Sequence, residues 1–445
     1  MKKSTFKEEN VLLNILKFSI PSTLSSIISI ICTLTDRFFI GNLVGRDGIS
    51  AMSVVFPYTM IVNSVIFLFS GLSILIGIKL GEKRKYEAEE ILSKGFLYLI
   101  IIGIVLSTIL WLFNETFLWK LGATRENIIL AKEYTKYFIL MICFQFILSQ
   151  STVIRAIGYP FNAMVINIFV TILNGILDYI FLAKLFLGVA GASLATFISV
   201  FLGSIYVLVF FFRNDVVKLK INKMKFEILT LVSIFKIGIP RFINQFFQFS
   251  LSVVMLKQMG KYSGDLGIAS IGIISLLRDL INTSFQGFSQ GTPAIIAYYY
   301  GAKNFKKIQE VMKIHVRIVL SISLFCLIIT LINAEYIISF FVKNDVELIK
   351  YASHGTRVHL CLLFSTALFL SYNNFFQAIK DSKKATFFYM LRVPILNIPL
   401  IFILSYFFQD NGVLVAFPVS DFITSLIAMY IGKKEIEKLI SNSRD

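Results

Sequence analysis

The chain has 445 residues, 56% hydrophobic and 15% aromatic but only 16% charged, with a mean hydropathy of +0.78. A water-soluble chain carries about a quarter charged residues, so this balance excludes a soluble globular protein and predicts a polytopic one immersed in a lipid bilayer. The net charge of +17 lies in short clusters between apolar runs; no basic surface outside the membrane is large enough to bind nucleic acid, which is excluded as a partner.

In chain order, MKKSTFKEEN runs straight into an apolar segment too long for the core of a cleavable signal peptide. Twelve segments follow that can span a hydrocarbon core of ~30 Å. They lie roughly at 11–40, 49–80, 95–113, 130–154, 163–184, 189–212, 228–258, 267–300, 317–333, 349–378, 386–408 and 413–431. The longest polar break, Arg213 to Lys225, splits them six and six. It predicts an N-terminal lobe at 1–212, a cytoplasmic linker at 213–226 and a C-terminal lobe at 227–445. Basic clusters at Lys83–Lys85, Lys218–Lys225, Lys303–Lys307, Lys380–Lys384 and Lys433–Lys434 alternate with poorly charged loops. That is the positive-inside pattern, and it puts both termini in the cytoplasm.

The first span, within Ile20–Gly48, carries Ser22, Ser25 or Ser26, Ser29, Thr33 and Asp36 three or four residues apart, one stripe on a helix. A carboxylate in so apolar a segment is costly unless something binds it. The fifth span holds Asn167, Thr171, Asn174 and Asp178 on one face, and the sixth adds Ser193, Thr196 and Ser199. Counted from the outer ends of their spans, Asp36, Asp178 and Thr196 fall within about 5–8 Å of one level. Two carboxylates, an amide and a hydroxyl there suit a hard cation such as Na⁺. They equally suit a proton shared between repelling charges. The bland alternative pairs Asp36 with Arg37 and leaves Asp178 to a helix contact.

The two halves are repeats. LKFSIP at Leu16–Pro21 matches FKIGIP at Phe235–Pro240, and Gly41, Gly45 and Gly48 match Gly260, Gly264 and Gly267 at an offset of 219. Gly71 and Gly81 match Gly291 and Gly301 one residue further on, Asn174 corresponds to Asn397, and Gly188 to Gly412. An even number of spans per repeat inserts both in the same orientation, which predicts pairing about an axis along the membrane normal with a cavity between. The acids are private to the first half, because Asp36 becomes Met255 and Asp178 becomes Ile401. In the eighth span Asp279, Asn282, Gln286 and Gln290 form another stripe, with Arg278 alongside. Either this is a substrate surface or the Arg–Asp neighbours stabilise the fold, although adjacent residues on a helix do not face each other. Asp421 is a third intramembrane acid of open role. Cys32, Cys143, Cys326 and Cys361 sit in apolar runs and read as buried structural thiols. His315 is isolated, while His354, Arg357 and His359 read as interfacial near the outer end of span ten.

IPSTLSSIISIICTLTDRFFIG followed by LVGRDGISAMSV, with IGIPRFINQFFQFSL and GFSQGTPAIIAYYYGAKNFKKIQE, resembles the multidrug and toxic compound extrusion (MATE) family over nearly the whole chain, most closely its MepA-like bacterial branch. The resemblance implies an all-α fold of twelve transmembrane helices in two pseudo-symmetric six-helix bundles around a central cavity. It implies a cation site at Asp36, Asn174, Asp178 and Thr196, with Na⁺ or H⁺ as coupling ion and no other cofactor. It further implies a monomeric antiporter of the bacterial inner membrane, exporting amphipathic, often cationic compounds by alternating access. Ser29, Asn167, Gln245, Gln248, Met255, Asp279, Asn282 and Gln286 are the candidates for the substrate cavity. A flippase for a lipid-linked precursor or polysaccharide is the alternative within the same superfamily; it calls for paired basic residues in the cavity, whereas the first-lobe stripes are acidic or neutral. No nucleophile elbow or H-E-x-x-H motif points to an enzyme.

Overall fold

The structure is a computed structural model that describes residues 10–442 apart from 44–45, 122, 126, 340–341 and 343–344, and the side chains at 32–39, 41–47, 49 and 53 also lie outside the described residues. Everything regular in it is helical, as lipid requires: where no water can satisfy a peptide group, only a helix or a closed barrel can. The helices are α1 (Val11–Leu43), α2 (Arg46–Leu68), α3 (Ser70–Gly81), α4 (Lys85–Leu112), α5 (Asn114–Lys120), α6 (Ile128–Leu148), α7 (Ser151–Ala156), α8 (Pro160–Asp178) and α9 (Gly188–Arg213). The second half supplies α10 (Ile228–Ser289), α11 (Thr292–Gly301), α12 (Phe305–Ser339), α13 (Val346–Leu360), α14 (Leu363–Ala378), α15 (Ser382–Met390) and α16 (Ile398–Ser441). Wider π turns follow α8 at Tyr179–Lys184 and α15 at Leu391–Asn397.

Among the described residues eight helical stretches are long and apolar enough to cross a bilayer, nine with the bent pair α13–α14. The last of these, Ser382–Ser441, reverses at Gln409 (φ 52°), and α10 reverses at Gly264 (φ 55°). Each is therefore two passes joined by a left-handed residue; with Ser382–Ser441 counted twice and the two less apolar arms of α10 added to the nine, the passes come to the twelve expected. Glycine reaches that conformation without a Cβ clash. Gln409 needs help, and its neighbour Asp410 accepts hydrogen bonds from Ser263 Oγ at 3.1 Å and from the Tyr351 hydroxyl.

Among the described residues the chain forms two compact units, 24–238 and 10–23 with 239–442. The boundaries lie beside Pro21 and Pro240, inside α1 and α10, so the first arm of each repeat belongs with the body of the other. Within unit 1, a Cβ on Gly71 would overlap the Ile234 carbonyl oxygen, and one on Gly238 would overlap that of Leu68. The arm 228–238 thus crosses the α2–α3 junction backbone to backbone. Within unit 2, a Cβ on Gly291 would stand 2.7 Å from the Phe18 carbonyl carbon and 2.8 Å from the Ser19 nitrogen. The same crossing is built twice, at the glycines the repeat aligned.

The segment 213–226 is fastened to unit 1. Leu219 N donates to Phe211 O at 2.9 Å, and Lys220 N to Ser93 Oγ at 3.0 Å. Lys220 Nζ pairs with the buried Glu89 at 2.6 Å, and Lys223 Nζ stands 3.0 Å from the centre of the Tyr86 ring. Glu227 then closes the strap by pairing with Lys94, while Tyr98 hydroxyl donates to Glu227 O at 2.8 Å.

Candidate functional site

The site in unit 1 is built on the facing helices α8 and α9. Asp178 is the last residue of α8 and is wholly buried. The π turn begins at the next residue; such turns widen the backbone spiral and recur at functional sites. One helical turn earlier, Asn174 donates from Nδ2 to Asp178 Oδ2 at 3.2 Å. Thr196 of α9 completes the group, with its Oγ1 3.5 Å from Asn174 Nδ2 and its own proton given to Ala192 O at 3.0 Å. Serines at 193, 199 and 204 keep this face of α9 small, and Ser193 Oγ donates to Tyr134 O of α6 at 2.6 Å. Small residues let transmembrane helices approach closely. A carboxylate so enclosed is stable only with donors or a cation around it.

A buried apolar cluster of Ile40, Leu182, Val189 and Ala192 lies beside the group. The Asp36 side chain lies outside the described residues, although α1 runs helically through it. In unit 2 the equivalent positions carry no acid. Met255, Met259, Ile401, Val413 and Ala416 belong to one buried apolar cluster. Asn397, the counterpart of Asn174, is fully buried with no side-chain hydrogen-bond partner among the described residues.

The predicted cavity residues divide. Asn167, Gln245 and Gln248 are half-buried, Ser29 is exposed with its hydroxyl donating to Ser25 O at 2.8 Å, and Met255 is core. On the α10 stripe Asp279 and Gln286 are exposed and Asn282 is buried. Contrary to expectation, Arg278 does reach Asp279: its Nε and Nη2 lie 3.3 Å from the carboxylate. Neighbouring Cβ atoms diverge on a helix, but a guanidinium on a long stem folds back. His359 is likewise not interfacial; it is buried, stacked on Phe417 at 4.8 Å, with Nδ1 3.1 Å from Leu414 O. Cys361 is exposed and Cys143 and Cys326 are half-buried, so the thiols are not uniformly buried; an apolar run faces lipid as readily as core.

Sequence reasoning missed Arg392. It sits in the second π turn and holds the wholly buried Asp421, from Nε at 2.6 Å and Nη2 at 2.7 Å, with Thr366 hydroxyl donating to the same carboxylate. The guanidinium lies over Phe369 at 4.6 Å, and Ser420 Oγ donates to Arg392 O at 2.6 Å. The role left open for Asp421 is therefore that of counter-ion in the core of unit 2. An Arg in a span is itself the signal, since it must find a partner.

The MatE family model matches residues 21–180 and again 240–403. The chain belongs to the MatE family. This MatE protein carries the family unit twice, the copies starting 219 residues apart, at Pro21 and Pro240, as the repeat predicts. It is 26% identical over 435 residues to the multidrug export protein MepA of Staphylococcus saprophyticus, covering 96% of this chain and 94% of that protein. It is 28% identical over 431 residues to the MepA of Staphylococcus aureus MW2, with the same coverage. Among solved structures, an outward-facing multidrug resistance MATE transporter superposes with a TM-score of 0.93 at 19% identity over 99% of both chains. A MOP superfamily transporter from Pyrococcus furiosus matches with the same values. These likenesses establish the twelve-helix MATE fold. The chain is a polytopic membrane transporter, not an enzyme.

Proposed function

We propose that this chain exports amphipathic, often cationic organic compounds by cation-coupled antiport, alternating between inward- and outward-facing states. The observation that carries the reading is the buried pair Asp178 and Asn174, joined by the half-buried Thr196, beneath an apolar cap. Three of the four cap residues stand four positions from a site residue: Ile40 from Asp36, Leu182 from Asp178, Ala192 from Thr196. On helices that is one turn, about 5.4 Å. α1 and α8 run one way and α9 the other by pass order, so all three steps lead toward the same end. Convergence of the caps supports a common level for Asp36 and Asp178. Two carboxylates, an amide oxygen and a hydroxyl offer hard oxygen ligands for Na⁺, and the same pair can share a proton.

A cation arriving from outside neutralises the pair and stabilises the conformation that binds it. If that conformation holds the organic compound weakly, the compound by reciprocity expels the cation when it loads from inside. The relatives are named multidrug export proteins, which supports small organic compounds as the cargo. Dye efflux from proteoliposomes, with Na⁺ and pH gradients imposed separately, tests the proposal and identifies the ion. Uphill efflux on one gradient, lost in Asp36→Asn and in Asp178→Asn, is expected. Undiminished gradient-driven efflux by a well-folded double variant would overturn it.

A further inference from the structure

Unit 2 holds a groove of about 380 Å³ between the start of α12 and the end of α16. Gln309, Lys313 and Arg317 line one wall at four-residue intervals, and Lys433 and Glu437 line the other. Its floor is apolar, made of Met312, Val316, Ile436 and the ring of Tyr372. The floor depends on Gly432, where a Cβ would overlap the Tyr372 ring. Three cations therefore face one carboxylate. Lys313, Arg317 and Lys433 are exposed, and none has an ion-pair partner among the described residues. Nearby acids are engaged elsewhere: Glu310 with Lys307 at 3.3 Å, and Glu435 with Lys384 at 2.7 Å.

The position along α12 matters. Two turns beyond Arg317 the helix surface turns apolar and exposed, through Leu324, Phe325, Ile328 and Ile332. The groove therefore lies where a lipid changes from headgroup to acyl chain. The positive-inside pattern puts this end in the cytoplasmic leaflet, where anionic lipids attract basic side chains.

We propose that this groove is a binding site for an anionic phospholipid, the phosphate held by Lys313, Arg317 and Lys433 and the first acyl carbons lying on Met312, Val316, Ile436 and Tyr372. Charge complementarity selects the headgroup, and the apolar floor selects a lipid over a free phosphate ion. The same cations repel a cationic organic compound, so the groove is not a second entrance for the proposed cargo. Each cation near an anionic surface contributes roughly fivefold in affinity, so the three together contribute on the order of 100-fold.

The test is native mass spectrometry of the purified full chain titrated with phosphatidylglycerol, phosphatidylcholine of the same acyl chains, or inorganic phosphate. Phosphatidylglycerol should bind at least tenfold more tightly than phosphatidylcholine. The variant Lys313→Gln/Arg317→Gln/Lys433→Gln should lose that preference, while Lys83→Gln/Lys218→Gln/Lys225→Gln in unit 1 keeps it. Glu437→Gln removes the opposing charge and should tighten phosphatidylglycerol binding severalfold, a gain that misfolding cannot produce. Equal binding of the two lipids, an undiminished preference in the groove variant, no gain in Glu437→Gln, or inorganic phosphate binding as tightly as the lipid would each overturn the proposal.

Discussion

Asp421→Asn isolates the electrostatics of unit 2. Arg392 is 4% exposed and Asp421 is 0% exposed, so the pair is shielded from water. Asparagine preserves the shape and can still meet Thr366, but it leaves the guanidinium without a counter-ion. Breaking a buried pair in this way costs about 3–5 kcal/mol, most of it the penalty of an uncompensated charge. Phe369 and Phe417 lie at 4.6 and 5.5 Å from the guanidinium, and since the variant keeps both rings they do not offset the difference. The folded-to-unfolded ratio should fall by roughly two to three and a half powers of ten. Replacing both partners, as Asp421→Leu with Arg392→Met, removes the stranded charge and should lie within about 1 kcal/mol of wild type. Unfolding in mixed micelles, followed by circular dichroism, measures both. A single variant as stable as wild type, or a double variant as unstable as the single, would refute the reasoning.

Gly71→Ala should cost about 1–3 kcal/mol by forcing the arm 228–238 off the α2–α3 junction, and Gly291→Ala should do the same to the arm 11–23; the melting temperatures of the two variants check this. Hydrogen bonds from Lys94 and then Thr230 hold the Glu227 carboxyl below the usual carboxylate range. A depressed folded pKa stabilises above the unfolded value of 4.5 and is lost as pH falls through the folded one. Protection of residues 214–226, taken as exchange relative to the intrinsic rate at each pH, should therefore fall only in acid, and in Glu227→Gln it should already be low and change little across that range. Thr196→Val keeps the volume but drops the hydroxyl, at about 1 kcal/mol. It should raise the cation concentration for half-maximal efflux roughly fivefold, and an unchanged value would remove Thr196 from the ligand set.

Much of the fold was legible because lipid restricts the choices: apolar runs must be helices, and a nearly constant offset between glycines across two long segments marks a repeat. The closeness of Asn174 and Asp178 was legible too, since polar residues spaced four apart in an apolar helix have one face to share, and that of Thr196 followed from its matching depth on the next span. What stayed hidden depends on side-chain reach and on which neighbour an apolar face finds. Arg278 bends back to the carboxylate beside it, His359 turns into the core against Phe417, and Cys361 faces outward. Arg392 went unread because its partner Asp421 lies 29 residues away, a pairing no periodicity reports. The strap at 213–226 looked like any basic loop, since nothing in its composition shows that Ser93, Glu89 and Tyr86 wait for it.

The exchange of first arms bears on how such a chain came to exist. A single copy of the repeat, cut at the strap, carries one arm that packs on its twin and lacks the arm its own body needs. A half-length protein of this design would be complete only as a pair, each copy lending its opening arm to the other, as in a domain-swapped dimer. Carrying both copies on one chain makes that association independent of concentration. It also leaves the copies free to differ, as they do where the first carries Asp36 and Asp178 and the second packs Met255 and Ile401.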